Sequence, residues 1–251
     1  LGAADDWIVR LRPNTRARAR LFCFPHAGGG SAAFRGWGEA LGDEVELCAV
    51  LPPGRERRIG EEPLTSIDTV VERLGRALAP WLDLPAVFFG HSMGALVAFE
   101  TVDWLRGHGG NLPRLLVVSG RRPPDRPSNQ PPTHHLPTEE FVAVLLKLGG
   151  TPREITEHPD LLDLLLPVLR ADMQVVDTYR YRARPPLDCP IVVFGGAEDD
   201  RAPTAELTGW QRQTTGECRV RIFPGGHFFV YDDASGVLPT LRAELRPLVV
   251  G

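Results

Sequence analysis

The residues best equipped for chemistry are Ser92, Asp199 and His227, in that order along the chain. A serine hydroxyl is a weak nucleophile until an imidazole takes its proton and a carboxylate holds that imidazole in place. Ser92 stands in Gly90-His91-Ser92-Met93-Gly94, after the apolar run Ala86-Val87-Phe88-Phe89 and before a helical stretch opening Ala95-Leu96-Val97-Ala98. Gly-x-Ser-x-Gly on a strand-to-helix turn lifts one hydroxyl out of a sheet, and its glycines leave room for the bend and for a substrate. The helix starting there turns its free N–H groups toward the site, so the Met93 N–H is placed to receive an oxyanion. An incidental serine on an ordinary turn is the rival reading, and it weakens as partners for Ser92 are found.

Those partners sit after two later strand patterns. Residues 190–194 run into Gly195-Gly196-Ala197-Glu198-Asp199-Asp200, and residues 218–223 into Pro224-Gly225-Gly226-His227. Asp199 is favoured as the carboxylate because it takes the fourth place of Gly196-x-x-Asp; Asp200 and then Glu198 are the alternatives. Of seven histidines, only His227 follows a strand, has glycines before it and comes last in the order Ser, Asp/Glu, His that α/β-hydrolases use. His91 adjoins the nucleophile on a sharp turn and points away from it. His26 lies on a glycine-rich loop that it is expected to shape, and His108, His134, His135 and His158 fall elsewhere. No metal constellation competes, since His134-His135 lacks a further ligand at a useful helical spacing.

That glycine-rich loop is Phe24-Pro25-His26-Ala27-Gly28-Gly29-Gly30. It contains neither Gly-x-Gly-x-x-Gly nor Gly-Lys-Ser/Thr, so a phosphate cradle is disfavoured. A loop between the first parallel strand and its helix can instead present a backbone N–H to an oxyanion, and Ala27 is nominated as that donor beside Met93.

Strands and helices must position these groups. Residues 8–11 and 18–24 read as strands around Pro13-Asn14-Thr15, and a hairpin is expected. A helix is expected over 31–41 with Ser31 as its N-cap, then a strand over 45–51, a helix over 66–81, the elbow strand, a helix to about Arg106 and a strand over 115–119. The loop Arg55-Glu56-Arg57-Arg58 is either solvated or recognises phosphate or carboxylate near the site. The αβ alternation then stops: residues 121–186 hold no strand pattern, a proline-rich start, and helical patterns over 138–148 and 159–181. This insertion, at about 121–186, reads as a lid over an apolar cleft, with two more core-packing helices as the alternative. Helices over 204–214 and 237–249 complete the pattern. The expectation is therefore one α/β domain over 1–251, with a mostly parallel sheet flanked by helices and a helical lid.

Bulk properties narrow the function. The chain has 251 residues, is 43% hydrophobic and carries a formal net charge of −4, which argues against non-specific nucleic-acid or membrane binding. No run approaches the roughly 18 apolar residues of a spanning helix, and no signal-peptide core is seen. The four cysteines lie in or beside apolar strand-like runs, without Cys-x-x-Cys spacing, and read as small buried hydrophobes in a reducing cytoplasm.

With these residues in hand, the chain resembles the type II thioesterases that accompany polyketide and nonribosomal peptide synthetases. The resemblance rests on Phe24-Pro25-His26-Ala27-Gly28-Gly29-Gly30, Leu51-Pro52-Pro53-Gly54-Arg55-Glu56-Arg57-Arg58, Gly90-His91-Ser92-Met93-Gly94-Ala95 and Gly225-Gly226-His227-Phe228, spread over nearly the whole length. It implies an α/β-hydrolase fold and hydrolysis of acyl groups from the phosphopantetheine arm of an acyl or peptidyl carrier protein. The usual role is editing of aberrant or stalled units. It implies no cofactor, phosphopantetheine being part of the substrate, and a monomer is expected. No Asp-Ser-Leu-type attachment motif is present, so the carrier is expected in trans, with Arg121, Arg122 or Arg126 as candidate contacts for an acidic partner. The alternatives are a carboxylesterase or lipase on free esters and a non-catalytic binding protein of hydrolase fold; the retained Ser, Asp and His argue against the second.

Overall fold

A computed structural model describes residues 5–126, 128, 130–150, 158–232 and 236–249. Seven strands form one sheet: β1 (Ile8–Arg12), β2 (Ala19–Phe24), β3 (Val45–Val50), β4 (Ala86–His91), β5 (Leu115–Ser119), β6 (Ile191–Gly196) and β7 (Cys218–Phe223). Their order is β1-β3-β2-β4-β5-β6-β7, and every pairing except β1 with β3 is parallel. The helices are α1 (Trp37–Leu41), α2 (Ile67–Leu78), α3 (Met93–Gly107), α4 (Thr138–Leu148), α5 (Pro159–Thr178), α6 (Thr204–Leu207) and α7 (Val237–Val249), joined by short 3₁₀ turns.

Alternation along the buried strands sends side chains to two cores. Phe22, Phe24 and Phe88 pack on the face covered by α2 and α3, whereas Leu21, Cys23, Val87 and Phe89 pack on the face covered by α1 and α7. Parallel strands buried on both sides need such continuous apolar runs. The connections diverge at one place: β2 is followed by β3 on one side, and β4 lies on the other. The loops leaving β2 and β4 therefore part at the carboxyl edge of the sheet, the crevice where open α/β sheets bind ligands.

The expected hairpin of β1 and β2 does not form, because β3 lies between them, pairing Ile8 with Val50 on one side and Phe22 with Cys48 on the other. One buried carboxylate accounts for the insertion. Glu46 of β3 is 1% exposed and accepts from Arg10 Nε at 2.6 Å and Arg20 Nε at 2.7 Å, one arginine from each neighbouring strand. A removed or slipped β3 would leave that charge unpaired in the sheet. The helix expected over 31–41 is likewise broken: a 3₁₀ turn covers Ser31–Phe34, Gly36 turns left-handed at φ 82°, and α1 follows. Ser31 is not its cap. Its hydroxyl and the Ala32 N–H both go to the carboxylate of Glu56. Beyond α6, the helix expected to reach Thr214 continues only as a 3₁₀ turn over Thr208–Gln213.

Between β5 and β6 the described residues hold α4 and α5 and no strand of the sheet. Residues 127, 129 and 151–157 of the expected insertion lie outside the described residues. Phe141, Leu145, Leu169 and Met173 form a small core of their own, against which Ala27 of the β2 loop packs. Cys23, Cys48 and Cys189 are buried and all four cysteines are unbridged; burial pushes the Cys48 and Cys189 thiols up to about 12. Among the described residues no helix is long and apolar enough to cross a membrane, and no His/Cys/Asp/Glu group is arranged to hold a metal.

Candidate active site

Among the described residues Ser92 and Glu56 are the non-glycine residues with positive φ, and Ser92 is the one on the strand-to-helix turn. Its backbone takes φ 54° and ψ −113°, a region that side chains avoid and that costs on the order of 1–3 kcal/mol. The strand before it and the helix after it hold that conformation. The Ser92 N–H donates to the Ser119 carbonyl of β5 at 2.8 Å, and the Ser92 carbonyl accepts from Ala95 at 3.2 Å. The flanking glycines are required by contact. A Cβ on Gly90 would collide with the Gly94 carbonyl oxygen, and one on Gly94 would collide with that of Phe24. The motif thus lets three backbone segments touch: the elbow, the start of α3 and the end of β2.

The loops after β6 and β7 bring the other two groups to that hydroxyl. His227 Nδ1 lies 2.9 Å from Asp199 Oδ2, and His227 Nε2 lies 2.9 Å from Ser92 Oγ. A carboxylate can only accept, so Nδ1 carries the proton and Nε2 is left to accept from the serine hydroxyl. Asp199 is 3% exposed, and its other oxygen takes the N–H groups of Arg201 at 2.9 Å and Ala202 at 3.2 Å. Those bonds fix the carboxylate toward the imidazole. Asp200 and Glu198 are exposed, so the carboxylate favoured from its spacing is the one the fold turns inward. The arrangement can activate a hydroxyl for attack on an acyl carbon.

Met93 is the first residue of α3 and is buried; Ala27 precedes Gly28, which turns left-handed at φ 78°. Among the described residues neither N–H has an acceptor, which is the state an oxyanion donor requires. The Ala27 loop is held from two directions. On one side His26 Nδ1 lies 2.8 Å from the Tyr231 hydroxyl, and its ring packs edge-on to Phe228 at 5.0 Å, so His26 shapes the loop and ties it to the His227 segment. Burial first, and then the neighbouring His227, hold the His26 imidazole down at about 4. On the other side Asp172 of α5 accepts from the Gly28 N–H at 2.7 Å and takes both guanidinium nitrogens of Arg55, at 2.7 and 2.9 Å. Arg55 also donates to the Gly29 carbonyl at 2.8 Å.

Sequence reasoning misses Asp172. The signal available for it is a lone carboxylate beside Leu169, Met173 and Val176 in a leucine-rich helix, a place where an acid survives only if paired. Its partner shows what the Arg55-Glu56-Arg57-Arg58 loop recognises: the protein's own groups. Arg55 takes Asp172, Arg58 takes Glu61, and Glu56 takes Ser31 and Ala32. His91 is fully buried, with Nδ1 3.0 Å from the Ser119 hydroxyl, and burial keeps it well below the ordinary imidazole range.

Ser92 and His227 open into a cleft of about 500 Å³. Pro123, Pro131, Met173, Val176 and Tyr179 supply apolar wall, while Arg121, Arg122, Arg126, Arg180 and Arg201 face Asp125 and Asp177 within it. The cleft is therefore cationic in a chain whose net charge is −4.

Comparison with known proteins gives a consistent result. The family model for the thioesterase domain matches residues 19–245. The gramicidin S biosynthesis protein GrsT of Aneurinibacillus migulanus is 38% identical over 98% of this chain and 96% of its own length. Among solved structures, the thioesterase RedJ of the prodiginine pathway of Streptomyces coelicolor is 40% identical, with a TM-score of 0.86 over 93% of this chain and 89% of that one. The type II thioesterase BorB of the borrelidin cluster is 35% identical, with a TM-score of 0.87 over 96% and 98%.

Proposed function

The chain belongs to the thioesterase family, whose members are hydrolases of α/β-hydrolase fold, and on that premise we propose that it is an editing thioesterase of the type II class. It removes acyl groups from the phosphopantetheine arm of acyl or peptidyl carrier proteins of a polyketide or nonribosomal peptide synthetase, clearing aberrant or stalled units. The observation that carries this reading is the chain of hydrogen bonds from Asp199 through His227 to Ser92, opening on a cleft of about 500 Å³. The similarity to GrsT, RedJ and BorB over nearly the whole chain supports the synthetase setting.

In this reading Ser92 Oγ attacks the thioester carbonyl as its proton passes to His227 Nε2. Asp199 keeps the imidazole in the tautomer that can accept there and stabilises the imidazolium that results. The carbonyl oxygen becomes an oxyanion and takes the Ala27 and Met93 N–H groups, each donor contributing roughly 3–4 kcal/mol in comparable sites. The tetrahedral intermediate collapses, the thiolate leaves with the proton from His227, and the acyl group stays on Ser92. Water then gives its proton to His227 and attacks the ester, releasing the acid and restoring the serine. Nothing in these steps calls for a metal or redox cofactor.

The segment over about 121–186 acts as the lid of the single domain 1–251. Its α4–α5 core presses on Ala27 and its proline-rich start borders the cleft. Such an enzyme works in the cytoplasm, as a monomer, with the carrier supplied by another protein. The test offers wild type and Ser92→Ala a panel of acylated carrier proteins and follows acid release by mass spectrometry. Release by wild type and its loss in Ser92→Ala is expected. A folded wild type that releases nothing from any carrier, while cleaving p-nitrophenyl esters, would place the chain with the carboxylesterases instead.

A further inference from the structure

Among the described residues, most arginines drawn below the surface are answered by the chain's own acids. Arg20 pairs with Glu46 and Asp83, Arg55 with Asp172, Arg58 with Glu61, Arg122 with Glu206, and Arg184 with Glu100 and Asp103. Arg170 instead donates to the His134 and Leu136 carbonyls and to the Thr138 hydroxyl, which leaves Arg121 and Arg201. Both are half-buried in the wall of the Ser92 cleft, and among the described residues neither guanidinium has a hydrogen-bond or ion-pair partner. Burial lowers both, bringing Arg121 down to about 10, and the neighbouring charge of Arg201 adds to that fall. Asp177, whose charge acts on both, is turned to other donors through Oδ2, which accepts the Thr133 N–H at 2.6 Å, the His134 N–H at 3.0 Å and His134 Nδ1 at 3.0 Å.

Their backbones place them beside the chemistry. Arg121 comes two residues after Ser119, whose carbonyl holds the Ser92 N–H, and the N–H of Arg201 is itself bound to the carboxylate that orients His227. Two half-buried cations with fixed backbones, neither hydrogen-bonded to an acid among the described residues, make a receptor for an oxyanion. Nothing in the serine mechanism above uses them.

We propose that Arg121 and Arg201 form an anion site in the cleft that takes an oxyanion borne by the substrate. That oxyanion is either the phosphodiester of the pantetheine arm or a carboxylate on the acyl unit. The proposal rests on the thioesterase reading of the cleft. It gives that cleft a second point of recognition, apart from the thioester carbonyl, and so a preference for charged over neutral thioesters.

Three probes separate the sources: acetyl-S-pantetheine is neutral at both ends, acetyl-S-4′-phosphopantetheine carries the phosphate, and malonyl-S-pantetheine carries the carboxylate. For wild type, Arg121→Gln, Arg201→Gln and the double variant, the quantity read is kcat/KM on a charged probe relative to the neutral one. The double variant is expected to lower that ratio ten-fold or more, through KM, for the phosphate probe if the arm is gripped and for the malonyl probe if the acyl unit is. An unchanged ratio for both probes, in a double variant whose circular dichroism matches wild type, overturns the site. Titration calorimetry of Ser92→Ala with 4′-phosphopantetheine and with malonate reads the same site without hydrolysis. At least one probe is expected to lose ten-fold in affinity when both arginines are replaced in that background, and no loss for either overturns the site. If wild type cleaves none of the thioesters while the calorimetric difference stands, the thioesterase reading fails and the anion site survives.

Discussion

The elbow carrying Ser92 and the loop carrying Ala27 lie side by side at the edge of the sheet, yet they are held by different means. The elbow is fixed by backbone close to it in the fold: Ser92 hydrogen-bonds to β5 and to its own helix, and Gly90 and Gly94 bring main chains into contact. Little can loosen it short of unfolding the sheet. The Ala27 loop has no such frame. It is held by side chains from elsewhere in the chain: Arg55 from the loop after β3, Asp172 from α5 between β5 and β6, and Tyr231 from beyond β7. In the proposed mechanism the difference pairs a rigid nucleophile with an oxyanion donor whose loop is braced by α5. If α5 shifts, Gly28 loses its acceptor, and the Ala27 N–H beside it loses its aim.

The largest expected effect is on the rigid side. Asp199→Asn keeps the shape but offers an NH₂ to His227 Nδ1, forcing the proton onto Nε2, where it blocks acceptance from Ser92. A fall of about 10⁴-fold in kcat is expected, whereas Asp200→Asn, exposed and turned away, stays within about two-fold in a steady-state thioester assay. Equal losses in the two would mean the carboxylate has been misassigned.

The next effect is on the other side and has a mixed signature. Asp172→Asn leaves the buried Arg55 guanidinium without its counterion and is expected to cost about 3–5 kcal/mol in urea unfolding. The amide oxygen of this variant can still accept from Gly28, but the loop slackens, and kcat is expected to fall about ten- to hundred-fold through weaker oxyanion stabilisation. Adding Arg55→Met should recover part of the stability, since the two losses share one interaction. A variant that loses stability with kcat intact would break the comparison, because the loop would then need no support from α5.

The smallest effect is graded by pH. His26 is held at about 4 in the folded chain against an ordinary 6.5, chiefly by burial. Between those values the unfolded chain binds the extra proton, so stability is complete above about pH 6.5, falls as pH drops toward 4, and levels off below it for this group. The contribution is at most roughly 3 kcal/mol, and less for a ring that is partly exposed. Buried His91 acts in the same direction. Urea midpoints from pH 7 to 4.5 should fall more steeply for wild type than for His26→Gln. Parallel slopes would remove His26 as a pH-sensitive tie of the Ala27 loop.

Much of this was legible from local pattern. Each chemical group follows a strand and a glycine-containing turn, and strand ends along one edge of a parallel sheet converge whatever joins them. Ser92, His227 and the Ala27 loop could therefore be nominated from short windows. What failed was non-local or conformational. Nothing near residue 14 says that β3 will part β1 from β2; the deciding contact is Glu46 with Arg10 and Arg20. Gly36 could have been tolerated in a helix, but it turns left-handed between the buried side chains of Phe34 and Trp37.

The sequence by itself determined the strand-to-helix elbow and the order of serine, acid and histidine, because glycine spacing and apolar runs act over a few residues. Only the tertiary structure decided which acid of Glu198-Asp199-Asp200 turns inward, that Arg55 binds Asp172 117 positions away, and that among the described residues Arg121 and Arg201 share a cleft with no acid paired to either guanidinium. Such pairings depend on which loops the sheet brings together and on the cost of a buried charge without a partner, and neither is written in any one stretch of chain.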